Sequence, residues 1–169
     1  MAPREKFVCD TSALINLHMH FRGRAIRRLR RAARSGTIVI PEGVQRELER
    51  GTDKLGEFVR KAPSGMVVKI QGNTTMQEEL SRLAGQYTQS TRVGDKTHPD
   101  LRPKRKTAAD TQVIAVAKVF RYTAVSDDKG VQLVCCLEGV PCISWCELAR
   151  KLGLLDEQPS LLQAESDAS

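Results

Sequence analysis

Short apolar runs alternate along this chain with longer stretches in which apolar residues recur every three or four positions. Phe7-Val8-Cys9 is the first such run and reads as a short buried strand. Thr11 or Ser12 then opens a helix, with Asp10 just before it. Over residues 24–34, Ala25, Ile26, Leu29, Ala32 and Ala33 share one helical face, while Arg24, Arg27, Arg28, Arg31 and Arg34 take the other. Gly36 ends that helix. Thr37-Ile38-Val39-Ile40 predicts a second strand, and Pro41 suits the first turn of a helix running to Gly51. A further helix covers Thr52 to Lys61 and stops before Pro63. Residues 66–70 predict a third strand, and residues 74–86 a helix with Met76, Leu80 and Leu83 inward.

The periodicity then breaks. Residues 88–106 hold Gly, Pro and polar residues and end in Lys104-Arg105-Lys106, which reads as a long exposed loop of the kind that is often functional. Thr107 begins a helix carrying Val113, Ile114, Val116, Ala117 and Phe120. Thr123-Ala124-Val125-Ser126 predicts a strand leading to Asp127-Asp128, followed by a helix over residues 130–137. A short strand from Val140 to Ile143 and a helix from Trp145 to Leu152, closed by Gly153, complete the pattern. Strands separated by helices imply an α/β fold with a parallel sheet covered on both faces. Residues 1–155 read as one domain. Residues 156–169, acidic and rich in small residues, read as a tail that frays or docks through Leu161-Leu162.

Composition narrows the function classes. With 40% hydrophobic and 28% charged residues among 169, a folded domain with a sizeable core is expected. Lys plus Arg is 27 against 20 Asp plus Glu, a formal charge of +7, which favours an anionic partner such as nucleic acid. No apolar run approaches the ~20 residues that span a bilayer, and the first residues lack a signal peptide's apolar stretch, so a cytoplasmic location and no membrane partner are expected. Five cysteines agree with a reducing compartment. Cys135, Cys136 and Cys146 sit in helix-like apolar patterns, so buried thiols are expected rather than a zinc site. Aromatic residues are only 4%, which argues against a single-strand binding module built on base stacking.

The acids carry the chemistry. In open parallel sheets the ligand crevice lies beyond the carboxyl ends of the strands. Asp10 follows the first strand and Asp128 the late one. Asp110, one turn before Ile114, is expected on the inward face of its helix, and Glu47, between Val44 and Leu48, at the edge of a buried stripe. Four carboxylates facing one crevice repel one another. Oxygen-only ligands suit Mg²⁺ or Mn²⁺, which relieve that repulsion and can activate a water against a phosphodiester. Thr11, Ser12, Ser126 and Asp127 are candidates to orient the carboxylates or bound waters. Each acid also has a plainer reading: Asp10 as a helix N-cap, Asp127-Asp128 as a turn, Glu47 as a solvated helical acid, and Asp110 with Thr107 as a capping box.

Taken together, FVCDTSALI, PEGVQRELERG, AADTQVIAVAK, AVSDDKGVQ and the ending CISWCELARKLGLL resemble the PIN-domain nucleases, and the layout looks like their bacterial and archaeal toxin branch. The resemblance covers roughly residues 7–155. It implies a three-layer α/β/α fold with about five parallel strands and Mg²⁺- or Mn²⁺-dependent hydrolysis of RNA. It implies Asp10, Glu47, Asp110 and Asp128 as the four acids, with Asp10, Asp110 and Asp128 on the metal. It also implies an antitoxin partner and homodimer formation. Gly130 stands where family members often carry a further acid, a departure that Asp127 can offset or that leaves a catalytically weak RNA-binding protein. Arg24, Arg27, Arg28 and Arg31 and the run Lys104, Arg105 and Lys106 are the candidates for phosphate contacts, since residues 11–41 hold no acid at all. A solvated helix face and a docking surface for an acidic antitoxin segment are the other readings of the arginines.

Overall fold

The computed structural model describes residues 4–87, 92–93, 96–97 and 109–155. In chain order the elements are β1 (Phe7–Cys9), α1 (Thr11–Arg34), β2 (Ile38–Pro41), α2 (Glu42–Glu49), α3 (Lys54–Arg60), β3 (Val67–Val68) and α4 (Thr74–Tyr87), then β4 (Arg92–Val93), β5 (Lys96–Thr97), α5 (Ala109–Phe120), β6 (Thr123–Val125), α6 (Lys129–Leu137), β7 (Cys142–Ile143) and α7 (Trp145–Lys151). Five strands form one all-parallel sheet in the order β3-β2-β1-β6-β7. Register is set at the centre, where Phe7 lies between Ile38 and Thr123 and Val8 between Val39 and Ala124. β1 is buried along its whole length, which is why it reads as an unbroken apolar run.

Strand order fixes which face each helix covers. The chain leaves β1 towards β2 and β3 on one side, then returns across β1 to β6 and β7 on the other. With right-handed crossovers the two directions place their helices on opposite faces. Packing follows that rule: α1 lies against α3 and α7, and α5 lies against α4 and α6. The fold is therefore a three-layer α/β/α sandwich, and the strand order reverses at β1 and β6. The central helix α5 is buried at Ala109 and at every position from Thr111 to Ala117, so a one-sided stripe describes it poorly.

Several expectations change. The helix read over residues 24–34 is the second half of a longer one. α1 runs from Thr11 with a kink at Arg22, whose backbone (φ 45°, ψ −121°) leaves the helical region. Pro41 ends β2 and stands at the N-cap of α2 rather than inside its first turn. Phe120, at the end of α5, is 40% exposed and packs on Tyr122. Cys136 and Cys146, expected buried, are exposed; Cys9 and Cys135 are the buried thiols. The stretch read as a long loop contains the antiparallel pair β4–β5. Lys104, Arg105, Lys106, Thr107 and Leu161-Leu162 lie outside the described residues.

Two contacts invisible to periodicity hold the helices around the sheet. Glu138, at the end of α6, receives Arg82 and Tyr87 of α4 (2.6 and 2.5 Å) and Lys118 of α5. Burial alone would raise its pKa, but these donors outweigh it and hold the carboxyl at about 2. On the other side of α5, Gln112 Oε1 accepts a 2.8 Å bond from the Gly43 amide at the start of α2. That approach needs glycine, because a Cβ at residue 43 would stand 2.5 Å from Gln112 Oε1 and 3.3 Å from the Ala109 Cα. Gly43→Ala should therefore destabilise the domain by about 1–3 kcal/mol, through overpacking against a nearly buried amide and backbone. Urea unfolding checks this: the midpoint should fall with the m-value unchanged. An unchanged midpoint would show that α2 and α5 can separate without loss.

Candidate active site

The carboxyl ends of β1 and β6 lie side by side, and the residues that follow them carry two of the candidate acids, Asp10 and Asp128. Asp10 directly follows β1 and its own amide bonds the Val125 carbonyl at 3.1 Å, so its backbone continues the sheet. Its side chain caps α1: Oδ1 accepts from the Ala13 amide at 2.6 Å. Oδ2 accepts from the hydroxyl of Ser126, which follows β6 and is fully buried. Asp10 is only 2% exposed. Burial raises its pKa, the Ser126 and Ala13 bonds pull it back down, and the charges of Asp127 and Asp128 push it up again. The net effect is upward. The carboxylates after β1 and β6 thus sense one another electrostatically.

Ser126 is the hinge of the arrangement. While its hydroxyl donates to Asp10, its oxygen accepts from the Asp128 amide at 3.1 Å. Asp128 caps α6, with Oδ1 accepting from Val131 N at 2.9 Å; Oδ2 has no hydrogen bond among the described residues. Asp127 is exposed, and its Oδ2 accepts from the first amide of α7, Trp145 N, at 3.1 Å. Gln132 secures the Ser126 carbonyl at 3.0 Å. On the other flank Thr11 donates to Glu47 Oε2, which brings the half-buried Glu47 of α2 beside the start of α1. Asp110 is half-buried in the first turn of α5, the helix that packs on β1, β2, β6 and α2. Ser12, next to Thr11, is exposed.

One candidate group stands apart. Arg24, Arg27, Arg28 and Arg31 are exposed on α1 beyond its kink, and the concavity they line includes no acid. His18 faces Asp53 at 3.3 Å, and His20 packs on Trp145 with ring centroids 4.6 Å apart. Sequence patterning missed Glu42, which is nearly buried and accepts from the Gln71 amide at 3.3 Å, and Gln112 and Gln132. The capping proline before Glu42 and the amphipathic stripe around Gln132 hide them, because their partners are distant in sequence.

The donor chemistry fits a hard divalent cation. The candidates are all oxygen donors, and one of them, Asp10, carries an uncompensated cost of charge. Among the described residues no three His, Cys, Asp or Glu side chains are already gathered to hold one ion. The Asp10 and Asp128 carboxylates are each turned towards a helix amide, Ala13 N and Val131 N.

The profile of a family described as "Domain of unknown function (DUF4411)" matches residues 7–154. Among solved structures the chain is similar to PAE2754 from Pyrobaculum aerophilum, at 15% identity and a TM-score of 0.49, over 89% of this chain and 98% of that one. No curated protein matches it.

A carboxyl whose pKa is raised by folding holds its proton more tightly in the folded chain. It favours folding below its unfolded pKa, and that contribution is lost as pH rises through the folded value. Asp10→Asn keeps the N-cap and removes the buried charge. The variant should be more stable than wild type at neutral pH, with the advantage shrinking as acid protonates Asp10. Thermal melts across pH check it. A variant less stable at neutral pH would mean that Asp10's charge strengthens the native state.

Proposed function

Because the chain belongs to the DUF4411 family, whose description assigns no activity, function has to come from the site, and we propose a PIN-like, metal-dependent endoribonuclease. The observation that carries this reading is Asp10. It is a buried carboxylate at the strand-order reversal, and its pKa is raised further by Asp127 and Asp128 across the crevice. A protein has little reason to assemble such repulsion unless a cation is to be met there.

Asp10, Asp110 and Asp128 would hold Mg²⁺ or Mn²⁺. Bound there, the cation would supply charge neutralisation at a phosphodiester and an acidified water. The chain's own residues do the rest. Ser126 links Asp10 Oδ2 to the Asp128 amide and so ties the start of α6 to the Asp10 carboxylate. Asp128 uses only Oδ1 for its cap, which leaves Oδ2 for a ligand. Thr11 orients Glu47, which would take a proton from an attacking water. Cys9, buried behind Asp10, has its thiol pushed far up by burial and by that acid, so it stays an uncharged wall.

The same reading extends to a cytoplasmic toxin of a type II toxin–antitoxin pair, with an antitoxin partner and a homodimer. Among the described residues no helix is long and apolar enough to cross a membrane. A neighbouring short reading frame encoding a DNA-binding half and an amphipathic tail would support the pairing. A second reading, an RNA-binding protein with weak or no turnover, rests on α6. Gly130 is buried there without a carboxylate, and Asp127 is partly engaged by Trp145 N.

The test is cleavage of RNA with Mg²⁺ or Mn²⁺. Asp10→Asn and Asp128→Asn should each lower the rate by roughly 10²–10⁴-fold, and chelation should abolish it. Mn²⁺ should raise the melting temperature of wild type and do so less in either variant. Cleavage that survives chelator or both substitutions rejects the mechanism. RNA affinity without turnover under any divalent metal selects the second reading.

A further inference from the structure

Beyond the kink at Arg22, α1 carries a run of arginines on its outer face. Arg24, Arg27, Arg28 and Arg31 stand at i, i+3, i+4 and i+7, so they form adjacent rows on one helix face. All four are exposed, and together they line a single concavity. Among the described residues none of them pairs with a carboxylate. The opposite face of the same helix, at Ala25, Ile26, Leu29, Ala32 and Ala33, is buried, so the arginines have one direction to point. Arg24 reaches the Leu154 carbonyl at 3.5 Å, and Arg28 lies against Gly153, which ties the stripe to the end of α7. A neighbouring groove between α1 and α3 continues the charge through Arg30, Arg34 and Lys54.

Clustered like charges repel, and an unpaired cluster is poised to exchange its counterions for a polyanion. What lines the concavity identifies the polyanion. It presents four guanidinium forks and no apolar or aromatic side chain. An acidic peptide would find no pocket for its side chains, and a base would find no ring to stack on. A phosphate backbone needs neither, and its oxygens match the fork geometry.

We propose that this face of α1 is an RNA backbone-binding stripe, apart from the acids, that reads phosphates and not sequence. A corollary rests on the ribonuclease reading: the concavity holds no acid, so a strand cleaved at Asp10 has to extend past the cleavage site to reach it, and the preferred substrate is an RNA long enough to span both.

The experiment uses the full chain in chelator, so that no turnover occurs, with labelled RNAs of about 30 and about 5 nucleotides followed by anisotropy over a salt series. Replacing Arg24, Arg27, Arg28 and Arg31 together by Gln should weaken binding of the longer RNA by at least about tenfold. It should also flatten the slope of log K against log salt by about 3, four contacts at about 0.7 each. The preference for long over short RNA should collapse. Replacing the same four by Lys should keep most of the slope. Arg27→Gln with Arg31→Gln, neither of which touches the end of α7, should give about half the loss with an unchanged melting temperature. Unchanged affinity and slope in the Gln variants overturn the proposal, as does a stripe that binds polyglutamate while RNA binding is unaltered. Stripe-dependent RNA binding by a wild type that cleaves nothing with Mg²⁺ or Mn²⁺ upholds the stripe and rejects the ribonuclease reading.

Discussion

Asp10 is a carboxylate buried almost completely at the point where the sheet's strand order reverses, and the surrounding structure is arranged to tolerate it. An isolated buried charge would neutralise or unfold the site. Here the first turn of α1 supplies the Ala13 amide and the positive end of a helix, and Ser126 supplies a hydroxyl. Those donors come from opposite ends of the sequence, so they meet only if β1 and β6 are neighbours in register, Cys9 beside Val125. The acid and the sheet topology therefore require each other. Compensation is incomplete, since its pKa stays raised. That residual cost separates Asp10 from an ordinary helix cap.

The rest of the fold keeps this point from relaxing. α5 crosses beneath the sheet centre and is clamped on both sides. Gln112 holds it to α2 through the Gly43 amide, while Glu138 gathers Arg82, Tyr87 and Lys118 to hold α4, α5 and α6 together. Glu47 and Asp110 ride on the two helices of the first clamp. Their spacing from Asp10 is thus set by close backbone packing, not by flexible loops. Charge is divided along α1: Asp10 caps its N-terminus and Thr11 in its first turn holds Glu47, while the exposed arginines follow the kink.

What patterning could reveal was whatever depends on neighbours in the chain. β1, the cap at Asp10, the buried face of Ala25, Ile26, Leu29, Ala32 and Ala33, and the alternation that implies a parallel sheet are all local signals, and the structure has them. Readings that assumed one-sided burial did less well. Cys136 and Cys146 lie on short helices and face outwards among charged and polar neighbours, Lys129 and Gln132 on α6 and Glu147, Arg150 and Lys151 on α7. The Glu138 cluster, Gln112 and Gln132 had no sequence signature, because a buried polar contact is a property of two distant segments. Arg22 escaped for another reason: nothing in the residue type announces a positive φ, and the neighbouring Gly23 is the commoner site for one.

Capping and catalysis look like competing accounts of Asp10 and Asp128, but a carboxylate has two oxygens. In both residues Oδ1 takes the helix amide, from Ala13 and from Val131. The second oxygens differ. That of Asp10 is held by Ser126, and that of Asp128 has no hydrogen bond among the described residues. The cap removes rotational freedom from each side chain before any ligand arrives, so a cation bound there, as proposed, would cost less entropy. A cap alone would be served as well by Ser, Thr or Asn at either position. Aspartate at position 10, where burial raises the pKa and the charges of Asp127 and Asp128 add to the rise, is the costly choice for a cap alone, and under the proposed function that cost is what a metal ion would relieve.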